Sequence, residues 1–174
     1  MNKTRVQLVL IIAAFALPAV IAVLLQTPWF HWDPSSTRNR GELIKPVIAM
    51  TAGTAAPSML ADGHRWSVVV RIPAQCDAGC ARRLAMLANL REAQGKEMDR
   101  VQMIAWTETG TSPAPVFTSW QPDARLSSLL ALPEGGVLLV DPLGNALLRY
   151  RADADPTDVR KDLAHLLRWS KAGE

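Results

Sequence analysis

The chain has 174 residues, 19 Lys plus Arg against 16 Asp plus Glu, two cysteines and three histidines. That length, less an anchor, suits one ordinary domain with one core. The basic residues are scattered rather than gathered into a stripe, which argues against nucleic acid as a partner.

Residues 1–5 read as a short cytoplasmic N-terminus. Val6 to Leu25 follows as VQLVLIIAAFALPAVIAVLL, with Gln7 its only strongly polar member. At about 1.5 Å per residue this run crosses roughly 30 Å of hydrocarbon, so 6–25 is expected to be a single transmembrane helix. A cleaved signal peptide has a shorter apolar region of roughly 7 to 15 residues. Lys3 and Arg5 precede the span, while Trp29, Phe30 and Trp32 follow it as an interfacial aromatic cluster. The expected orientation is therefore N-terminus in, with the rest of the chain in the periplasm or an equivalent oxidising space.

Residues 26–62 carry Pro34, Pro46 and Pro57 among Ser, Thr and Gly, with short apolar pieces at Leu43–Ile44 and Val47–Met50. They read as a juxtamembrane tether plus a short edge element. Residues 63–174 read as the folded domain. Its first strand is Trp66 to Ile72, bounded by Asp62-Gly63 and Pro73. After the cysteines, Ala81 to Gln94 has helical periodicity, with Leu84, Leu87 and Ala88 on one face and Gly95 as its stop. Val101 to Trp106 reads as a second strand, Thr107 to Thr118 as a loop and Pro122 to Leu132 as a short helix.

Val137 to Asp141 and Ala146 to Tyr150 then form an antiparallel hairpin around Pro142-Leu143-Gly144-Asn145. The last helix takes Asp155 as N-cap and Pro156 as its first residue, with Val159, Leu163, Leu166 and Leu167 as its apolar stripe. The order is strand, helix, strand, helix, hairpin, helix. That is the order of an α/β thioredoxin-like fold.

Cys76-Asp77-Ala78-Gly79-Cys80 lies between the first strand and the first helix. A thiol at a helix N-terminus faces unpaired N–H groups and the positive end of the macrodipole, and both favour thiolate. Arg82 and Arg83 add positive charge and Asp77 opposes it. Cysteines four apart on one helical face have Cα atoms about 6 Å apart, suiting either a disulfide or a shared soft metal ion. Three uses remain open: a redox pair, a Cu(I) site and a fixed structural disulfide. The last would close a very short loop and constrain the unfolded chain little.

With the anchor, the CxxxC after a strand, the hairpin VLLVDPLGNALLRY and the closing helix, the chain resembles the Sco/SenC-like proteins. These are membrane-anchored thioredoxin-fold accessories of copper-site assembly in cytochrome c oxidase. It is similar also to shorter thioredoxin-like transmembrane proteins that accompany oxidase assembly factors, through the NxGELIxP stretch from Asn39 to Pro46. The resemblance implies Cys76 and Cys80 as the functional residues, copper as cofactor, and membrane lipid and oxidase subunits or assembly factors as partners.

Two features of the family and fold have no counterpart here. Between Ser119 and Gly136 there is no histidine, where Sco proteins carry a third copper ligand. Nor does a proline stand directly before the hairpin, where thiol oxidoreductases of this fold have one; Pro133 is separated from Val137 by Glu134, Gly135 and Gly136.

Of the histidines, His64 belongs to the far end of the first strand, His165 to the polar side of the last helix and His31 to the membrane boundary. Met59 and Met103 carry thioethers that suit either Cu(I) or core filling. Trp106 and Trp120, near the loops, suit either interface anchoring or core burial.

Two other functions fit the same residues. One is a general periplasmic thiol:disulfide oxidoreductase, with Cys76 as nucleophile and Cys80 resolving. The other is a non-catalytic binding module whose cysteines are permanently bridged. A peroxiredoxin is disfavoured, since the Pro-x-x-x-Thr-x-x-Cys arrangement is missing.

Overall fold

The computed structural model describes residues 3–26, 39–50 and 58–170, without the side chains of residues 4–6, 9, 22, 25, 26 and 58. The chain divides into two compact units, Met1–Arg38 and Asn39–Glu174. His31, the aromatic cluster Trp29, Phe30 and Trp32, and much of the tether lie outside the described residues.

In the first unit, helix α1 runs from Lys3 to Gln26, 24 residues with Pro18 inside. Its described apolar side chains are exposed, Phe15 at 81%. Among the described residues no helix is long and apolar enough to cross a membrane, and Val6, Val9, Ala22 and Leu25 of the expected span have no described side chain.

The second unit is built on six strands: β1 Glu42–Ala49, β2 Trp66–Arg71, β3 Val101–Trp106, β4 Phe117–Trp120, β5 Val137–Val140 and β6 Asn145–Tyr150. They lie in the order β1-β6-β5-β2-β3-β4. The strand β2 is central, parallel to β3 and antiparallel to β5. Five of its six residues are buried, as a strand covered on both faces requires.

The period-2 alternation sends Val68 and Val70 into a core under helices α2 (Ala78–Ala88) and α4 (Pro156–Trp169). It sends Val69 into a second core with Leu126 and Leu130 of helix α3 (Ala124–Leu130).

The edge element expected near residues 43–50 is β1, antiparallel to β6 and irregular between Leu43 and Ile48. Pro46, which has no N–H to give, sits in that irregularity on an outer strand. The residues just before it are fastened by one carboxylate. Asp162 of α4, 5% exposed, accepts from Arg40 N at 2.7 Å, Gly41 N at 3.0 Å and the Tyr150 hydroxyl at 2.8 Å. Burial and the Asp162 carboxylate push the Tyr150 hydroxyl well above its usual pKa, so it stays a donor. A Cβ at Gly41 would lie 2.5 Å from the Tyr150 ring, so the chain passes there without a side chain.

Three local readings change. The first domain helix begins at Ala78 and ends at Ala88, and Glu92–Arg100 is 3-10 rather than a continuation, with Gly95 at φ 59° breaking it. The loop expected over Thr107 to Thr118 gives way to a fourth strand at Phe117, whose four residues are too few for periodicity to reveal. Trp106 and Trp120 are 3% and 6% exposed and pack at 6.0 Å in the second core, so neither is an interface anchor.

Candidate functional site

Both parallel strands β2 and β3 point their C-terminal ends at the same edge of the domain, and the cysteine segment leaves β2 there. Pro73 interrupts the strand, and the chain turns into α2 with Asp77 as N-cap. The Asp77 Oδ1 accepts from Cys80 N at 2.8 Å, and Ala81 N donates to Asp77 O at 2.9 Å. Cys80 is therefore the third residue of the helix. Cys76 precedes the cap and lies outside the helix, so the two cysteines do not share a helical face as their spacing suggests.

They are joined nonetheless. Cys76 and Cys80 form a disulfide with S–S 2.01 Å and Cα–Cα 5.2 Å. Cys76 is exposed and Cys80 is half-buried.

Two clefts flank the bond. One, of about 310 Å³, is lined by Cys80, Asp77, Arg71, Arg83 and Glu134 over a floor that includes Leu87. The other, of about 480 Å³, is apolar, with Cys76 beside Ala81, Ala85, Pro113 and Phe117.

The cations of the first cleft are held by other partners. Arg71 lies 5.0 Å over the Trp106 ring and donates to Leu132 O at 2.6 Å. Arg83 donates to Ala154 O at 2.6 Å. Burial draws the Arg83 guanidinium below its usual pKa, with Asp153 and Asp155 opposing that shift.

The opposite wall is backbone. Gly135 N donates to Arg71 O and Arg71 N to Gly136 O, which binds the approach to β5 against the end of β2. Gly135 has φ +73°, and a Cβ at Gly136 would meet Pro133 O at 2.8 Å and Tyr150 O at 3.0 Å. Glycine there, rather than a proline directly before the strand, lets the segment pass close to the cleft.

The histidines do not converge on the sulfurs. His64 is exposed before β2, and His165 is exposed against Trp169 at 6.2 Å on α4. Met103 is 2% exposed within the core. Among the described residues no group of three His, Cys, Asp or Glu side chains is arranged to hold a metal ion. A copper site of three ligands, as the Sco resemblance implies, is thus not completed by the donors described beside the two sulfurs.

Sequence reasoning placed the cysteine pair and missed most of its surroundings. Asp77 is read from the sequence only as a charge opposing Arg82 and Arg83, and its capping role is missed although an Asp three residues before a helical N–H is an N-cap signal. Arg71 and the Pro133–Gly136 segment reach the site only through strand pairing, which no local pattern displays.

Residues 66–170, more than half of the chain, match the family described as transmembrane-like, thioredoxin-like, C-terminal domain. No curated protein matches. Among solved structures, the thioredoxin-like superfamily protein SPOA0173 is 17% identical with TM-score 0.49, covering 76% of this chain and 97% of its own. ScoI of Bradyrhizobium japonicum, solved with copper bound, is 16% identical with TM-score 0.42, covering 58% and 84%. BsSco, a Sco-family cytochrome c oxidase assembly protein with a disulfide switch, is 15% identical with TM-score 0.44, covering 64% and 84%. With a central β2 between β3 and β5, its hairpin and its closing helix all inside the matched region, this chain belongs to the transmembrane-like, thioredoxin-like C-terminal domain family.

Proposed function

We propose that the chain is a membrane-anchored accessory protein of respiratory oxidase assembly whose Cys76–Cys80 pair exchanges disulfide for thiols with a partner. The observation that carries this reading is the exposed residue Cys76, bonded to a half-buried Cys80 at the head of α2 with open clefts on both sides. A partner thiolate attacks Cys76 Sγ and the S–S bond breaks. Cys80 leaves as a thiolate in the first turn of α2, where the helix terminus stabilises negative charge. A second partner thiolate then attacks the mixed disulfide and releases Cys76. The partner is oxidised by two electrons and the pair is reduced by two; the reverse sequence delivers a disulfide back to the pair.

The oxidase pathway is supported by the resemblance in the anchor, the CxxxC, the hairpin and the NxGELIxP stretch. Anchoring by α1 with the domain in the periplasm is supported by its 24-residue length and the basic residues before its apolar run. Copper is secondary in this reading. The reduced sulfurs form a soft pair suited to Cu(I), but the described residues add no third donor. A Cu(I) competition titration of the reduced chain checks that part separately.

The experiment is alkylation of the purified full chain before and after equilibration with a glutathione redox couple, followed by mass measurement. Two added alkyl groups are expected when the reduced chain is alkylated, and none when the chain is reoxidised before alkylation. A mass that never shifts under physiological reductants would leave the bridged binding module as the better reading.

A further inference from the structure

Asp77 occupies an unusual place for an acid. It is the first residue inside the Cys76–Cys80 loop, it shares a cleft with Cys80, and its Oδ1 is tied at 2.8 Å to the backbone N–H of Cys80 itself. The hydrogen bond fixes the carboxylate at the helix end where the leaving Cys80 thiolate gathers charge. Gly79 leaves it room: a Cβ at that position would lie 3.3 Å from Asp77 Oδ1. The other charges that face the site are set back. Arg71 is committed to Leu132 O and the Trp106 face, and Arg83 to Ala154 O. Glu134 lines the far wall and adds a second negative charge, while Arg82 is exposed on the first turns of α2.

We propose that Asp77 is a specificity-determining residue that selects thiols by charge, disfavouring anionic thiols and favouring cationic ones at the Cys76–Cys80 bond. The proposal deepens the exchange reading and rests on it. In the step concerned, R–S⁻ forms a bond to Cys76 Sγ while the Cys76–Cys80 bond breaks, and the electron pair departs on Cys80. A second R–S⁻ then yields RSSR and the two reduced cysteines. A carboxylate held on the backbone N–H of the departing cysteine repels both the growing charge and an anionic attacker. Two unit charges about 5 Å apart in surroundings close to water change a rate by roughly threefold to tenfold. The natural partner thiol is therefore expected to sit beside a positively charged group.

The test uses the full chain in neutral detergent and three small thiols: cysteamine as the cation, 2-mercaptoethanol as the neutral reference and glutathione as the anion. Opening rates at equal thiolate concentration are compared for the parent chain, Asp77→Asn and Asp77→Ser. Asn and Ser both cap helices well, so either variant keeps α2. The expected result is a cysteamine to glutathione rate ratio that falls about threefold or more in both variants. In the parent chain the same fall is expected at about 1 M salt, where the screening length is near 3 Å. A ratio unchanged by both variants, with all three thiols opening the bond, overturns the proposal and leaves the exchange reading standing. A parent chain that none of the three opens overturns both.

Discussion

The two cysteines have different surroundings and should behave differently when separated. Cys76 is exposed before the cap, and Cys80 is half-buried inside the first turn. Cys80→Ser is expected to leave a Cys76 that traps mixed disulfides, seen as partner-sized bands on non-reducing gels. Cys76→Ser is expected to trap few and to alkylate several-fold more slowly. Equal trapping by both variants would contradict the assignment of Cys76 as the exchanging sulfur. Elsewhere the buried Asp162 carboxylate ties together three donors. Replacing it by Ala strands the buried Tyr150 hydroxyl and the N–H groups of Arg40 and Gly41. A loss of about 2–4 kcal/mol is expected in denaturant unfolding, against about 1 kcal/mol for Tyr150→Phe, which removes one donor and leaves the acceptor served.

At the scale of elements, caps and turns were the most legible part of the sequence and tertiary pairing the least. Asp155 and Pro156 open α4 as their types predict, and Pro142 to Asn145 makes the tight turn between β5 and β6. These signals act over two or three residues and so survive in one dimension. The short strand β4 is defined by pairing to β3, with Phe117 opposite Met103, and such a signal lies in the partner rather than the strand. For α2 the helical pattern was visible but its start was misplaced by three residues, because Ala78 and Gly79 carry no apolar period.

The cap of α4 also sets a pH dependence. The Thr157 N–H holds the Asp155 carboxyl below its usual range, so the folded value lies under the unfolded one. Its contribution is fully present above the ordinary carboxylate pKa of about 3.9 and is lost as pH falls through the lower folded value. Melts below pH 5 should therefore show a shallower acid dependence for Asp155→Ser, a cap without a carboxyl. At the site wall, Gly136→Ala places a Cβ against two backbone oxygens that cannot move independently. A loss of about 2 kcal/mol or more is expected in Tm or denaturant measurements, with the cleft beside Cys80 disturbed.

Across the whole molecule, the sequence separated an apolar N-terminal helix from an α/β domain, and the two compact units divide between Arg38 and Asn39. The NxGELIxP stretch runs into the edge strand β1 and is held through Asp162 and through Arg149 to Glu42 at 2.9 Å. The resemblance of that stretch thus rests on residues that fasten the start of β1 beside Tyr150, at the same end of the sheet as the C-terminal end of β2 from which the cysteine segment leaves. If the helix anchors the domain outside the cytoplasm, reporter fusions after residue 174 are active in the periplasm and silent in the cytosol. The reverse pattern would remove the oxidising surroundings that the exchange reading assumes.

The central claim, that the Cys76–Cys80 bond opens and closes in use, is tested most directly by a redox titration of the full chain. The reduced fraction is read by alkylation gel shift across buffered potentials. The account predicts a reversible two-electron transition with a midpoint above about −300 mV, in the range of exchanging rather than structural disulfides. A bond that stays closed throughout that range would contradict it.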